Sequence, residues 1–121
     1  MKRNEYVGWL CDRLAPLGTI SARAMFGGWS LYCDGLIFAI VVDEVCYLKA
    51  DDETIPSHAA AGCGPFEYAS KDGRINQMRY YRLPDESLED DALLLQWSRG
   101  ALGAALRAQA AKAGKGKGKP R

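Results

Sequence analysis

The run LIFAIVV, residues 36–42, most constrains what this chain can fold into. It is apolar at odd and even positions alike and rich in β-branched and aromatic residues, so as a strand it must be central, covered on both faces or protected by its neighbours. Asp34-Gly35 precedes it and Asp43-Glu44 follows it; Asp-Gly is a strong hairpin signal. Upstream, Met25, Gly27, Trp29, Leu31 and Cys33 alternate with Phe26, Gly28, Ser30 and Tyr32, and VCYLK follows at 45–49. Residues 24–49 therefore read as a three-stranded antiparallel meander with Gly27-Gly28 inside its first strand. Two adjacent glycines lose backbone entropy and bury no side chain, so this pair calls for a bulge or a close backbone approach, expected from helix one or the Gly100 and Gly103 face of the last helix.

The segments on either side have a different period. Tyr6, Leu10, Leu14 and Leu17 recur at helical spacing behind Asn4, a suitable N-cap, and Pro16 and Gly18 close the segment, giving a helix over about 4–16. A short helix is expected within ADDETIPSHAAAGCGP, stopped at Gly62. PFEYA and INQMRYYRL read as two more strands joined through Asp72-Gly73. Ser87 with Asp90 has the form of a capping box, and the stripe Leu88, Ala92, Leu95, Leu102 and Leu106 gives a helix from 88 to about 110. The order α-βββ-α-ββ-α defines an α+β, two-layer domain, an antiparallel sheet with its helices on one side.

At 121 residues the chain is long enough for one core. Its net charge of +1 conceals two unlike parts. Six of the 16 basic residues and none of the 15 acidic ones lie beyond residue 106, so residues 1–106 carry ten positive charges against 15 negative, a net −5. The domain is read as 1–106, and 107–121 as a basic Gly/Lys-rich disordered tail. No stretch is apolar enough to span a membrane, and the N-terminus lacks a signal-peptide core, so the expected location is the cytoplasm. Cys11, Cys33, Cys46 and Cys63 show no CxxC spacing and read as free thiols.

Little in the sequence points to catalysis. A Cys63–His58 pair is the one nucleophile arrangement available, but no third group orients it, and it reads as a solvent-facing histidine beside a small buried thiol. One histidine and dispersed cysteines make no zinc set, and the acidic runs read as turns and helix starts, so no metal, cofactor or catalytic residue is assigned. Gly27-Gly28 precedes no helix, which excludes a phosphate loop. Arg79 and Tyr81 fall on one face of their strand and Met78, Tyr80 and Arg82 on the other. Lys49, ending a hydrophobic strand, reads either as a contact for a partner or as an edge-strand lysine that discourages sheet pairing.

Taken in order, RAMFGGWSLYCDGLIFAIV at 23–41, YLKAD at 47–51, Gly62, Pro65, Phe66 and Tyr68, MRYYRLP at 78–84 and the Leu94–Ala105 segment with Trp97 resemble the TfoX/Sxy N-terminal domain family. The resemblance covers nearly all of residues 5–106. It implies a fold similar to that of type III secretion chaperones and no enzymatic activity. The family's best-known full-length members regulate competence genes and carry a second, C-terminal domain; here only the lysine-glycine tail follows Leu106. The pattern positions are Phe26, Gly27, Gly28, Gly35, Pro65, Phe66, Tyr68 and Trp97, read as structural, together with Lys49, Tyr80, Tyr81 and Pro84.

The function expected is a non-enzymatic regulatory or protein-interaction domain in transcriptional regulation, monomer or homodimer, with Lys49, Tyr80 and Arg82 as candidate partner contacts. The alternative is a nucleic-acid-associated accessory protein that binds through Lys112, Lys115, Lys117, Lys119 and Arg121.

Overall fold

The computed structural model describes residues 4–25 and 27–118, with side chains as far as residue 113. The family-pattern residue Phe26 and the tail residues Lys119 and Arg121 lie outside the described residues.

Helix α1, Glu5–Arg13, begins where expected because the Asn4 Oδ1 accepts the Val7 N–H at 2.8 Å. It gives way to a single 3-10 turn, Ala15–Leu17, at Pro16. The chain then enters the sheet at Ile20, not Ala24. Strands β1 (Ile20–Met25), β2 (Gly28–Cys33), β3 (Leu36–Val42) and β4 (Val45–Lys49) form a meander of four strands instead of three. The glycine pair is the cause. Gly27 turns the chain with φ +69°, so the pair lies at a hairpin and not inside a strand. Gly28 opens β2 pressed against β3, where an added Cβ would collide with the Val41 carbonyl oxygen. The close approach is real, but it comes from the neighbouring strand, not from helix one or the last helix.

Helix α2 (Ile55–Ala60) follows, and Gly62, with φ +74°, turns the chain away just beyond it. Strands β5 (Pro65–Ala69) and β6 (Ile75–Arg82) complete one antiparallel sheet in the order β1-β2-β3-β4-β6-β5. The fold is α+β as expected, with one additional strand. Asp85–Glu89 is a 3-10 turn, and helix α3 spans Asp91–Gly118. Its cap is Asp90, not Ser87. The Asp90 Oδ1 accepts from Ala92 N at 3.0 Å and Leu93 N at 3.2 Å, while Ser87 is buried within the 3-10 turn.

All three helices pack on one side of the sheet. Val7, Leu10 and Leu14 of the first helical segment meet Leu31, Ala39 and Leu48 of the sheet, with Leu94, Ala101 and Ala105 of α3. The alanines let α3 approach closely. Arg13 ties α1 to the start of α3, with its Nε donating to Asp91 Oδ1 at 2.8 Å and a guanidinium nitrogen to the Leu88 carbonyl. Strand β3 is central, and a register shift leaves Phe38 without an opposite residue on β2, which sends it into the core beside Ala39.

The boundary read at 106 falls inside α3. Arg107 belongs to the folded body, because its Nε donates to Asp51 Oδ2 at 2.6 Å and a second guanidinium nitrogen to Asp51 Oδ1 at 3.1 Å. The alternating glycines and lysines of 114–118 continue the helical backbone instead of ending it. Among the described residues no helix is long and apolar enough to cross a membrane.

Candidate functional site

Strand register decides which side chains share the face that no helix covers. Leu31, Ala39, Leu48 and Tyr81 lie opposite one another in successive strands and point toward the helices. Ser30, Ile40, Tyr47 and Arg82 form the adjacent row and point the other way. The same parity puts Arg23, Tyr32, Lys49, Tyr68, Met78 and Tyr80 on the helix-free side. Phe66 joins them through its ring contacts, 5.1 Å from Tyr47 and 6.3 Å from Tyr68.

Lys49, Tyr80 and Arg82 are thus brought to one face. Lys49 and Tyr80 are directly opposed across β4 and β6, and the Lys49 Nζ stands 5.3 Å from the Tyr80 ring centre. Strand β4 lies between β3 and β6, so Lys49 is not an edge-strand lysine. Arg23 makes the same kind of contact with Tyr32, at 5.2 Å. The Tyr80 ring is 8% exposed, and burial, with Tyr32 adding to it, raises the pKa of its hydroxyl, which stays protonated at neutral pH. Tyr68, 45% exposed, and Met78, 37% exposed, open the platform to solvent.

The charged residues that the described strands send to this face have one sign. Arg23, Lys49 and Arg82 project from it, while the only acidic residue in the described strands, Glu67, lies opposite Gln77 on the helix side. Arg82 shares its charge with Asp85 at 3.3 Å; Arg23 and Lys49 meet rings instead. Arg79 and Tyr81 occupy the other face, with Arg79 on Asp52 and Tyr81 against His58.

His58 is buried, 2% exposed, and not solvent-facing as read from the sequence. Helix α2 turns it inward, with its ring 4.8 Å from Trp97 and 5.5 Å from Tyr81, and its Nδ1 donates to the Arg82 carbonyl at 3.1 Å. Burial lowers its pKa. Cys63 is buried as expected; its thiol, with pKa raised by burial, donates to the Ala61 carbonyl at 3.7 Å. The imidazole is thus oriented by a backbone carbonyl and not by a carboxylate, and the thiol carries no activation. Among the described residues no group of three or more His, Cys, Asp or Glu is placed to hold a metal.

Of the tail residues, Lys112 is exposed on α3, and Lys115 and Lys117 lie in its final backbone turns. Among the family-pattern residues, Gly35 takes φ +84° in the β2–β3 turn, Pro65 starts β5 opposite Tyr81, and Trp97 packs on His58. Sequence reasoning missed Arg23, Tyr32 and Tyr47. A break at Gly27 would have placed Arg23, whereas Tyr32 and Tyr47 were open to parity within the segments already read as strands.

The chain is a two-layer α+β domain that leaves one aromatic and cationic sheet face without a helix over it. The TfoX N-terminal domain model matches residues 12–105, and the chain belongs to that family. It is similar to Protein Sxy of Escherichia coli strain K12, 32% identical over 96 residues that make up 79% of this chain and 46% of that protein. The chain therefore spans less than half the length of this relative.

Proposed function

We propose that the domain acts in transcriptional regulation, as a competence-regulator-like module, by docking a protein partner on the helix-free sheet face. The observation that carries this reading is the sign of that face. A body whose residues 1–106 sum to −5 presents Arg23, Lys49 and Arg82 among five aromatic rings, with no strand carboxylate beside them. Aromatic residues and arginine are the side chains that dominate protein interfaces, and a cationic surface selects an acidic partner.

The test is crosslinking capture from native cells with wild type and an Arg23→Glu, Lys49→Glu double variant of equal melting temperature. A partner recovered by wild type and lost with the double variant supports the docking face. Recovery by both baits, or by neither above a denatured control, overturns it.

A second reading rests on the basic segment. Arg107 is committed to Asp51, which leaves Lys112, Lys115, Lys117, Lys119 and Arg121 for loose contact with nucleic acid phosphates. Exchanging those five for glutamine should abolish binding to mixed DNA at low salt; binding that survives the exchange excludes the tail.

A further inference from the structure

On the helix side of the sheet, a half-open pocket of about 360 Å³ lies between α2 and α3. It exists because α3 is cut back at Gly100. A Cβ built there would have the Thr54 methyl carbon, at 4.0 Å, as its nearest neighbour, so any longer side chain would enter the space. Trp97, one turn earlier, forms an aromatic wall and is backed by the His58 ring at 4.8 Å.

Among the described residues lining the pocket, the only charged carboxylate or cationic group is Glu53. Because the His58 Nδ1 gives its proton to the Arg82 carbonyl, the Nε2 of the neutral ring carries the lone pair and accepts. Burial lowers the His58 pKa and keeps that ring neutral at pH 7. The Glu53 carboxylate stands at the mouth with its side chain 69% exposed, and Gln96 and Ser57 add neutral groups that both donate and accept. No lysine or arginine is among the lining residues. Arg107, which reaches Glu53 at 3.3 Å, is held by its two shorter bonds to Asp51.

We propose that this pocket binds a small planar cation, such as an amidinium, guanidinium or aminated aromatic ring, stacked on Trp97 with its N–H groups directed to Glu53. An indole is the best ring partner for a cation, and the carboxylate accepts what such a ligand donates. An anion of the same shape would meet the Glu53 carboxylate, and the cation near it, Arg107, is held by Asp51.

The test uses the full chain, labelled with nitrogen-15 and titrated with benzamidine and with benzoate, which share a ring and shape and differ in charge. Benzamidine should shift the Trp97 indole N–H and the Thr54 and Gly100 amides saturably at millimolar concentration, and benzoate should not. Glu53→Gln should weaken benzamidine about tenfold. Gly100→Leu should abolish its binding. No saturable shift up to about 20 mM, an equal response to benzoate, or unchanged affinity in Glu53→Gln would overturn the proposal. Should Gly100→Leu fail to fold, the benzoate comparison and Glu53→Gln decide it.

Discussion

Arg107 closes a two-bonded ion pair on Asp51 across 56 positions of the chain, at 2.6 and 3.1 Å. The same carboxylate accepts the Glu53 and Thr54 N–H groups at 3.0 and 3.3 Å, so one side chain joins the middle of α3 to the loop leading into α2.

Hydrogen bonds from Arg107 hold the Asp51 carboxyl below its ordinary 3.8. With the folded pKa depressed, the stabilisation is complete above 3.8 and is lost as pH falls through the lower folded value. Asp51→Asn should therefore melt below wild type at neutral pH, and the gap should close in strong acid. Thermal melts across the acid range check this; a gap that persists below the folded pKa would show that the ion pair is not its source.

The two adjacent glycines should fail differently. Gly28→Ala forces a methyl against the Val41 carbonyl, backbone that cannot swing aside, and should cost about 2 kcal/mol or more. Gly27→Ala meets open space and bears only its positive φ, costing about 1 kcal/mol. Urea unfolding of both variants gives the order, and an equal loss would refute the distinction.

The β3–β4 turn places Asp43 and Glu44 at φ 52° and 59°, which suits the twist of a two-residue hairpin but strains any residue with a Cβ. Glu44→Gly should stabilise the protein by about 0.5–1 kcal/mol. A urea midpoint at or below that of wild type would contradict it.

Burial depresses the His58 pKa below the ordinary 6.5. The unfolded chain takes up a proton as pH drops through 6.5 while the folded chain resists, so stability is full above that value and declines below it toward the folded pKa. His58→Asn keeps an N–H for the Arg82 carbonyl and should lose this slope. Urea midpoints at about pH 7.5 and 5.5 test it, and a parallel slope in the variant would exclude His58 as the source.

Much of the architecture was legible in the sequence because its cues are local. The Asn4 cap, the turns at Asp34-Gly35 and Asp72-Gly73, and the unbroken apolar run 36–42 each act within a few residues and appear in place. The first hairpin was not legible. A Gly-Gly pair serves a turn or a close packing equally well, and here its two members do one each. The missing break hid β1, and with it Arg23 as a member of the open face.

The chain by itself determined the segments beyond the first hairpin and the parity that sends Tyr80 and Arg82 one way and Tyr81 the other, since side-chain alternation is a property of any strand. Only the tertiary structure decided that β4 is internal, that His58 is buried between Trp97 and Tyr81, and that Arg107 belongs to the body. Those facts depend on which distant segments meet, and that is settled by the packing of α2 and α3 against the sheet, not by the residues adjacent in sequence.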